Sequence, residues 1–129
     1  MNPAMFELTV EDHFDSAHRL AGYPGECAEI HGHTWRVSVT VTGDRLGDVG
    51  LSIDFKDIAA VLSRVVRRYD HRFLNDLEEF RDINPTAEHL AREMFGKLSA
   101  ELDGDGARVT AVTVGEGNRY RLTYRGPAK

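Results

Sequence analysis

Two segments in the first third of the chain alternate apolar and polar residues, and this period of two constrains the fold more than any other feature. Apolar side chains occupy every second position from Trp35 to Val41 and at the start of the segment from Phe6 to Phe14. Successive side chains of a β-strand point to opposite faces, so the pattern predicts two half-buried strands. A sheet with one apolar face needs a second layer of structure to cover that face.

Two later segments carry apolar residues at helical spacing, and they can supply that layer. The first predicted helix runs from about Phe55 to Tyr69 with Asp54 as its N-cap; the second follows Thr86, its N-cap, and ends before DGDG. Two more strands are predicted, from about Val109 to Val114 and from Tyr120 to Tyr124. The order β-β-α-α-β-β predicts an α+β fold, in which an antiparallel four-stranded sheet carries both helices on one face.

The size and charge of the chain limit its organisation and partners. A chain of 129 residues with 41% hydrophobic residues has room for one core, so residues 1–129 are predicted to form a single domain. The net charge is -5 and there is no basic run, which argues against a nucleic-acid partner. No apolar run reaches the roughly 18 residues of a membrane span, and the amino end lacks a signal-peptide pattern. We therefore expect a cytoplasmic protein, and the two open edges of a four-stranded sheet predict a homo-oligomer.

The segment CAEIHGH concentrates metal-binding side chains in a long loop between the first two strands. His31 and His33 are two residues apart, so in extended backbone their side chains point the same way. His18, in FDSAHRL at the start of the same loop, is the natural third ligand. Three histidines leave the fourth position of a tetrahedral Zn²⁺ open, which is typical of a catalytic site. The alternative is that these are ordinary polar histidines of a loop.

Cys27, the chain's single cysteine, has three interpretations. It completes a closed Cys-His₃ zinc site, acts as a nucleophile or base, or is a small buried apolar residue. Its neighbours in GECAE are polar, which favours an exposed loop. Asp70 and His71 in YDHRFLND follow the first helix, where a carboxylate can orient an imidazole that takes a proton from a thiol. Alternatively, the two residues only favour the carboxyl end of that helix.

Glu116 ends a strand that otherwise alternates apolar residues, in VTVGEG. A carboxylate at that position is either solvated or a bidentate acceptor for a planar ligand that presents two N–H groups.

The ordered set FDSAHRL, CAEIHGH, SIDF, YDHRFLND, NPTAEHLA and VTVGE resembles the family of 6-pyruvoyl-tetrahydropterin and 6-carboxy-tetrahydropterin synthases, over nearly the whole chain. The resemblance implies the tunnelling fold, in which subunits join through strand edges into a trimeric barrel, two trimers usually stack into a hexamer, and active sites lie between subunits. It also implies roles for individual side chains: the zinc ligands are His18, His31 and His33, the catalytic thiol is Cys27, the proton relay is Asp70 with His71, and the pterin anchor is Glu116.

The family substrate is 7,8-dihydroneopterin triphosphate, and the resemblance is closer to the bacterial branch. That branch releases triphosphate and acetaldehyde and forms 6-carboxy-5,6,7,8-tetrahydropterin, an intermediate of queuosine and other 7-deazapurines. The short chain, the compact Cys-x₃-His-Gly-His spacing and DHRFLND favour it. Gly117 is a departure, since the family usually has Thr or Ser after the anchor glutamate. Basic candidates for the triphosphate are Arg19, Arg72 and Arg119.

Other functions remain open at this point. Within the family they are a 6-pyruvoyl-tetrahydropterin synthase and a folate-branch lyase, which uses a glutamate in place of the cysteine; Glu29 leaves a dual activity open. Outside the family they are a zinc hydrolase, in which Cys27 is a spectator, and a protein with structural zinc, in which Cys27 is the fourth ligand.

Overall fold

The computed structural model describes residues 5–25, 28–104 and 106–126, and these form a sheet covered on one face by two helices. The elements in chain order are β1 Phe6–His18, β2 His31–Gly43, α1 Phe55–Arg67, β3 Arg72–Phe73, α2 Ala87–Leu102, β4 Ala107–Glu116 and β5 Tyr120–Tyr124. Two short 3₁₀ turns, Leu74–Asp76 and Glu78–Phe80, lie between β3 and α2. The strand order is β3-β1-β2-β4-β5. No helix in the described ranges is long and apolar enough to cross a membrane.

The predicted α+β architecture is confirmed, with one difference in the sheet. All long strands pair antiparallel, whereas β3 pairs parallel to β1 at Ser16 and Ala17 and gives the sheet a fifth strand. Two residues are too few to show a period of two, so no pattern could predict β3. Its neighbourhood is held by the Ser16 hydroxyl, which donates to the Tyr69 carbonyl oxygen and accepts from the Arg72 N–H.

The core lies between the helices and the inner face of the sheet, as the alternation predicts. Trp35 and Phe14 are buried opposite each other on β2 and β1, with their rings stacked at a centroid distance of 6.0 Å. The helices begin where their caps are predicted: the Asp54 carboxylate accepts from the Lys56 N–H, and the Thr86 hydroxyl accepts from the His89 N–H. Burying each large apolar side chain of this core contributes about 1.5–3 kcal/mol.

Glu79 ties the end of α1 to the segment before α2. Its side chain is only 8% exposed and accepts hydrogen bonds from the guanidinium of Arg68 and, at 2.9 Å, from the Tyr69 hydroxyl. The hydrogen bond with Arg68 is the main cause that lowers the pKa of Glu79 to about 2, while burial raises the pKa of Tyr69. This charged cluster fixes the backbone immediately before Asp70 and His71.

Replacing Glu79 with Gln should lower the free energy of unfolding by about 2 kcal/mol near neutral pH, because the amide loses the charge-assisted bonds with Arg68. The folded-state pKa of Glu79 lies below its ordinary value of 4.5. The carboxylate's contribution is therefore complete above that value and is lost as the pH falls toward about 2. Urea unfolding of both proteins across this acid range measures the effect, and the difference between them should shrink.

The matched control is Glu78→Gln, which removes an exposed neighbouring charge and should change stability by less than about 0.5 kcal/mol. A Glu79→Gln effect that is the same at every pH would contradict the assignment of the stability to the ionised carboxylate.

Candidate metal centre and adjoining cavity

The structure brings His18, His31 and His33 together on the helix-covered face at one end of the sheet. In the β1–β2 register His18 lies opposite His31, and Ser16 lies opposite His33. Directly paired residues and residues two apart share a face, so this register turns the imidazoles toward one another. Their ring centroids are 4.4, 5.2 and 4.8 Å apart, and one nitrogen from each lies within 4.8 Å of the others.

Backbone carbonyls fix the orientation of two of these rings. The Nδ1 atom of His18 lies 2.8 Å from the carbonyl oxygen of Pro85, and that of His31 lies 2.8 Å from the carbonyl oxygen of Glu29. A carbonyl only accepts, so Nδ1 carries the proton in both rings and the Nε2 lone pair is free to bind a cation. This second contact is typical of histidines that ligate metals.

Burial favours the neutral form of His18 and His33. His18 is 1% exposed, and desolvation is the main cause that lowers its pKa and that of His33 below the ordinary 6.5. The ring of Trp35 makes edge-to-face contacts with the imidazoles of His18 and His33, at centroid distances of 5.0 and 5.3 Å. Neutral imidazole is the form that binds Zn²⁺ and other first-row divalent metals. The donor set therefore fits a three-histidine metal site of the kind that keeps a further coordination position for a small molecule.

Glu116 adjoins this cluster. It ends β4 opposite Trp35, and its Oε1 atom lies 3.9 Å from Nε2 of His18. Glu116 also lines a cavity of about 410 Å³, a volume in the range of small-molecule sites. The cavity walls include the side chains of Tyr23 and Tyr120. Glu116 connects the two features, because its carboxylate lies near His18 and also lines the cavity.

Glu88 lines the same cavity and was missed by the sequence analysis. It lies in the first turn of α2, where an acidic residue ordinarily stabilises the helix dipole, so its position gave no separate signal. Only the packing of α2 against the end of β4 reveals a second carboxylate facing the cavity of Glu116.

The structure brings the side chains of Asp70 and His71 together as a dyad. Nδ1 of His71 lies 2.9 Å from Oδ2 of Asp70, and Oδ1 of Asp70 accepts from the Asp15 N–H at 2.9 Å. That backbone bond is the main cause that lowers the pKa of Asp70, followed by His71 itself. His71 has a φ of 56°, a conformation uncommon outside glycine, and its N–H donates to the Asp15 carbonyl at 2.7 Å. Carboxylate and imidazole are thus preoriented on the β1 edge.

The dyad and the histidine cluster do not share a face of the sheet. The side chain of Asp15 lies within 4.8 Å of the dyad's ligand atoms and accepts from the Thr34 hydroxyl at 2.6 Å. Asp15 and Thr34 alternate with the inward residues of β1 and β2, so this group lies on the outer face. His33 and His71 border one open cavity of about 590 Å³ at the strand ends. Cys27 lies outside the described residues.

The chain is similar to known proteins in both sequence and structure. Residues 7–127 match the sequence profile of the family described as 6-pyruvoyl tetrahydropterin synthase. The 6-carboxy-5,6,7,8-tetrahydropterin synthase of Bacillus subtilis is 36% identical over 119 residues, covering 88% of this chain and 79% of that protein. The dihydroneopterin monophosphate aldolase of Pyrococcus furiosus is 33% identical, covering 83% and 86%. Among solved structures, 6-pyruvoyl tetrahydropterin synthase of Caenorhabditis elegans has a TM-score of 0.86 at 26% identity, covering 98% and 99%.

Replacing His31 with Ala should weaken the binding of a divalent metal by more than about a hundredfold, since it removes one of three converging nitrogens. Metal content after dialysis against a chelator-buffered metal solution measures the loss. His13→Ala is the matched control, because His13 is exposed on the outer face of β1 and should leave metal content unchanged. Equal metal retention by the two variants would show that the cluster is not the binding site.

Proposed function

The chain belongs to the 6-pyruvoyl tetrahydropterin synthase family, and from this premise we propose that it is a 6-carboxy-5,6,7,8-tetrahydropterin synthase. The reaction converts 7,8-dihydroneopterin triphosphate to the carboxy-pterin and releases triphosphate and acetaldehyde. The observation that carries the proposal is the three-histidine cluster beside a small-molecule cavity that holds the carboxylate of Glu116. The product would serve the synthesis of queuosine and other 7-deazapurines.

The metal in this proposal is Zn²⁺, held by His18, His31 and His33. When bound, it supplies Lewis-acid polarisation of the hydroxyl groups on the substrate's side chain. The protonated Nδ1 atoms of His18 and His31 hold the rings so that Nε2 faces the cluster, and the lowered pKa values of His18 and His33 keep both available near neutral pH. Three neutral donors preserve the full charge of the cation, which strengthens that polarisation.

The planar ring of the substrate would occupy the cavity of Glu116. A pterin presents its 2-amino group and N3–H side by side, and a carboxylate accepts such a pair in a bidentate arrangement. The Glu116 Oε1 atom lies 3.9 Å from Nε2 of His18, and Glu88, which lines the same cavity, offers a second acceptor. Tyr23 and Tyr120 supply aromatic surface against which a flat ring packs.

The proton traffic would fall to Cys27 with Asp70 and His71. Asp70 orients the His71 imidazole, and the imidazole tunes the thiol that takes and returns protons at the side-chain carbons. The dyad's position on the outer face supports an arrangement in which one subunit's dyad serves the cluster of a neighbour. Assembly into trimers or hexamers with sites between subunits, a single domain over residues 1–129 and a cytoplasmic location complete the proposal.

Other members of the family define the competing reactions. The identity to an archaeal dihydroneopterin monophosphate aldolase makes side-chain cleavage of the folate branch the second candidate, and Glu29 near the cluster is the residue that favours it. Retention of the side chain as a 6-pyruvoyl group is the third. The pterin products of these three reactions differ in the length of the side chain, so one chromatographic assay separates them.

Anaerobic incubation of the zinc-loaded protein with 7,8-dihydroneopterin triphosphate should release acetaldehyde in a ratio of about one to the carboxy-pterin, because the branch proposed here removes two carbons of the side chain. Chromatography of the pterins with enzymatic detection of acetaldehyde measures both. A pyruvoyl product without acetaldehyde would overturn the branch, and recovery of unchanged substrate would overturn the class of reaction.

Replacing Cys27 with Ala should leave the zinc content intact and lower turnover by at least about a hundredfold, the usual contribution of a positioned acid–base group. Metal analysis and the acetaldehyde assay on the same preparation give the two readings. Loss of zinc would favour a structural Cys-His₃ site instead, and full activity would favour a zinc hydrolase in which the thiol is a spectator. Cys27→Ser keeps the size of the side chain and should resemble the Ala variant in both readings.

A further inference from the structure

Two arginines flank a glycine on the outer face of the sheet, away from the helices. Arg36 on β2 pairs with Gly115 on β4, and Gly115 pairs with Arg121 on β5, so the three residues form one row across three strands. A Cβ atom on Gly115 would lie 3.6 Å from the Cβ atoms of both arginines. Gly115 is buried although it belongs to the outer face, because the two long side chains rise on either side of it. The row therefore forms a groove, whose floor is the backbone of Gly115 and whose walls are the side chains of Arg36 and Arg121.

The groove is positively charged in an acidic protein. It belongs to a cavity of about 770 Å³ that is also lined by Arg119 from the β4–β5 turn. The lining contains three guanidinium groups and a single carboxylate, Glu11, which leaves two positive charges in a chain of net charge -5. None of the three arginines forms a salt bridge with any residue in the described ranges.

Unpaired arginines so arranged have a clear chemical preference. Like charges that flank one intervening strand on the same face repel each other, so the cluster gains stability when an anion lies between them. The planar guanidinium fork matches the oxygens of a phosphate group and binds them in pairs. Hydroxyl groups of Ser38 and Thr113 on the same floor offer further donors. A cavity of this volume has room for several linked phosphates. Arginines arranged in a row can each bind a different phosphate of such a chain.

We propose that the arginine groove, formed by Arg36, Gly115, Arg119 and Arg121, binds a linear triphosphate group. The floor of the groove lies on the face of the sheet opposite to the histidine cluster. Arg121 and Tyr120 line both the groove and the cavity of Glu116, so the two cavities adjoin at the β4–β5 hairpin. The source of the triphosphate rests on the proposed function: it is either the tail of the substrate or the inorganic triphosphate that the reaction releases. Binding itself does not depend on that function, because inorganic triphosphate alone presents the same oxygens.

Calorimetric titration of the metal-loaded protein with magnesium-saturated tripolyphosphate tests the groove, since saturation with magnesium prevents removal of the bound metal. The double variant Arg36→Ala, Arg121→Ala should bind at least about tenfold more weakly, because charge-assisted bonds are lost. Arg92→Ala plus Arg67→Ala is the matched control: it removes the same two charges from exposed helix positions and should bind like the unmodified protein. Equal weakening in both double variants would overturn the proposal, as would no binding by the unmodified protein.

Gly115→Ala offers a second test that changes no charge. Its Cβ would lie 3.3 Å from the Tyr120 carbonyl oxygen and would fill the floor between the arginines, so the affinity for tripolyphosphate should fall while the fold, followed by circular dichroism, persists. Unchanged affinity in a folded Gly115→Ala protein would place the anion outside the groove and overturn the proposal.

Steady-state kinetics then separates the two sources. If the groove holds the substrate's tail, the arginine double variant should show a KM raised at least about tenfold with kcat nearly unchanged. If it holds the released product, KM should stay constant and inhibition by added tripolyphosphate should disappear. Either result supports the groove, whereas identical KM and identical inhibition in variant and unmodified protein would overturn it. A protein that turns over no dihydroneopterin triphosphate would defeat the proposed function and leave the titration result standing.

Discussion

The register between β1 and β2 is the constraint on which the candidate site depends. It sets His18 against His31 and Ser16 against His33, and two residues earlier on β1 it sets Phe14 against Trp35 in the core. A shift of one residue would turn every inward side chain of one strand to the outer face. A register shift that separated the imidazoles would therefore also remove Trp35 and the valines that follow it from the core. The hydrophobic packing of the middle of the strands positions the polar cluster at their end.

Side-chain amides hold the backbone that follows His18, the last residue of β1, in the way that a neighbouring strand would. After β3 leaves the edge of β1, the amide of Asn75 accepts from the Arg19 N–H at 2.9 Å and donates to the Arg19 carbonyl at 3.0 Å. The amide of Asn84 makes the same two bonds with Ala21, both at 2.9 Å. Each asparagine amide thus makes the two hydrogen bonds that the backbone of a paired strand residue would otherwise make. A turn then follows, in which the Tyr23 N–H donates to the Leu20 carbonyl, and Tyr23 reaches the cavity wall.

The sequence predicted those parts of the molecule that repeat a period or match a motif. Alternation predicted the long strands and the caps predicted both helices, because each pattern follows directly from side-chain direction and backbone geometry. The pairing of His18 with the HGH motif required only that a hairpin brings its ends together. By contrast, Asp15 binds the Asp70 dyad mainly through its backbone N–H and carbonyl, groups that every residue possesses. The residue type at position 15 therefore could not predict that contact.

The arginine groove escaped prediction for a related reason. Arg36 and Arg121 are 85 positions apart, and they become neighbours only because Gly115 on β4 lies between them in the register. The sheet consequently presents two chemically different surfaces at the same end. On the inner face, burial lowers imidazole pKa values and leaves neutral donors suited to a cation, whereas on the outer face exposed guanidinium groups retain full positive charge and suit an anion. A substrate with a metal-binding hydroxylated side chain and a triphosphate tail requires both kinds of surface, and within one chain the sheet itself separates them. In the proposed assembly, two chains that meet edge to edge would present the inner face of one beside the outer face of the other. Oligomerisation would then bring the two kinds of surface together as well as close the open strand edges.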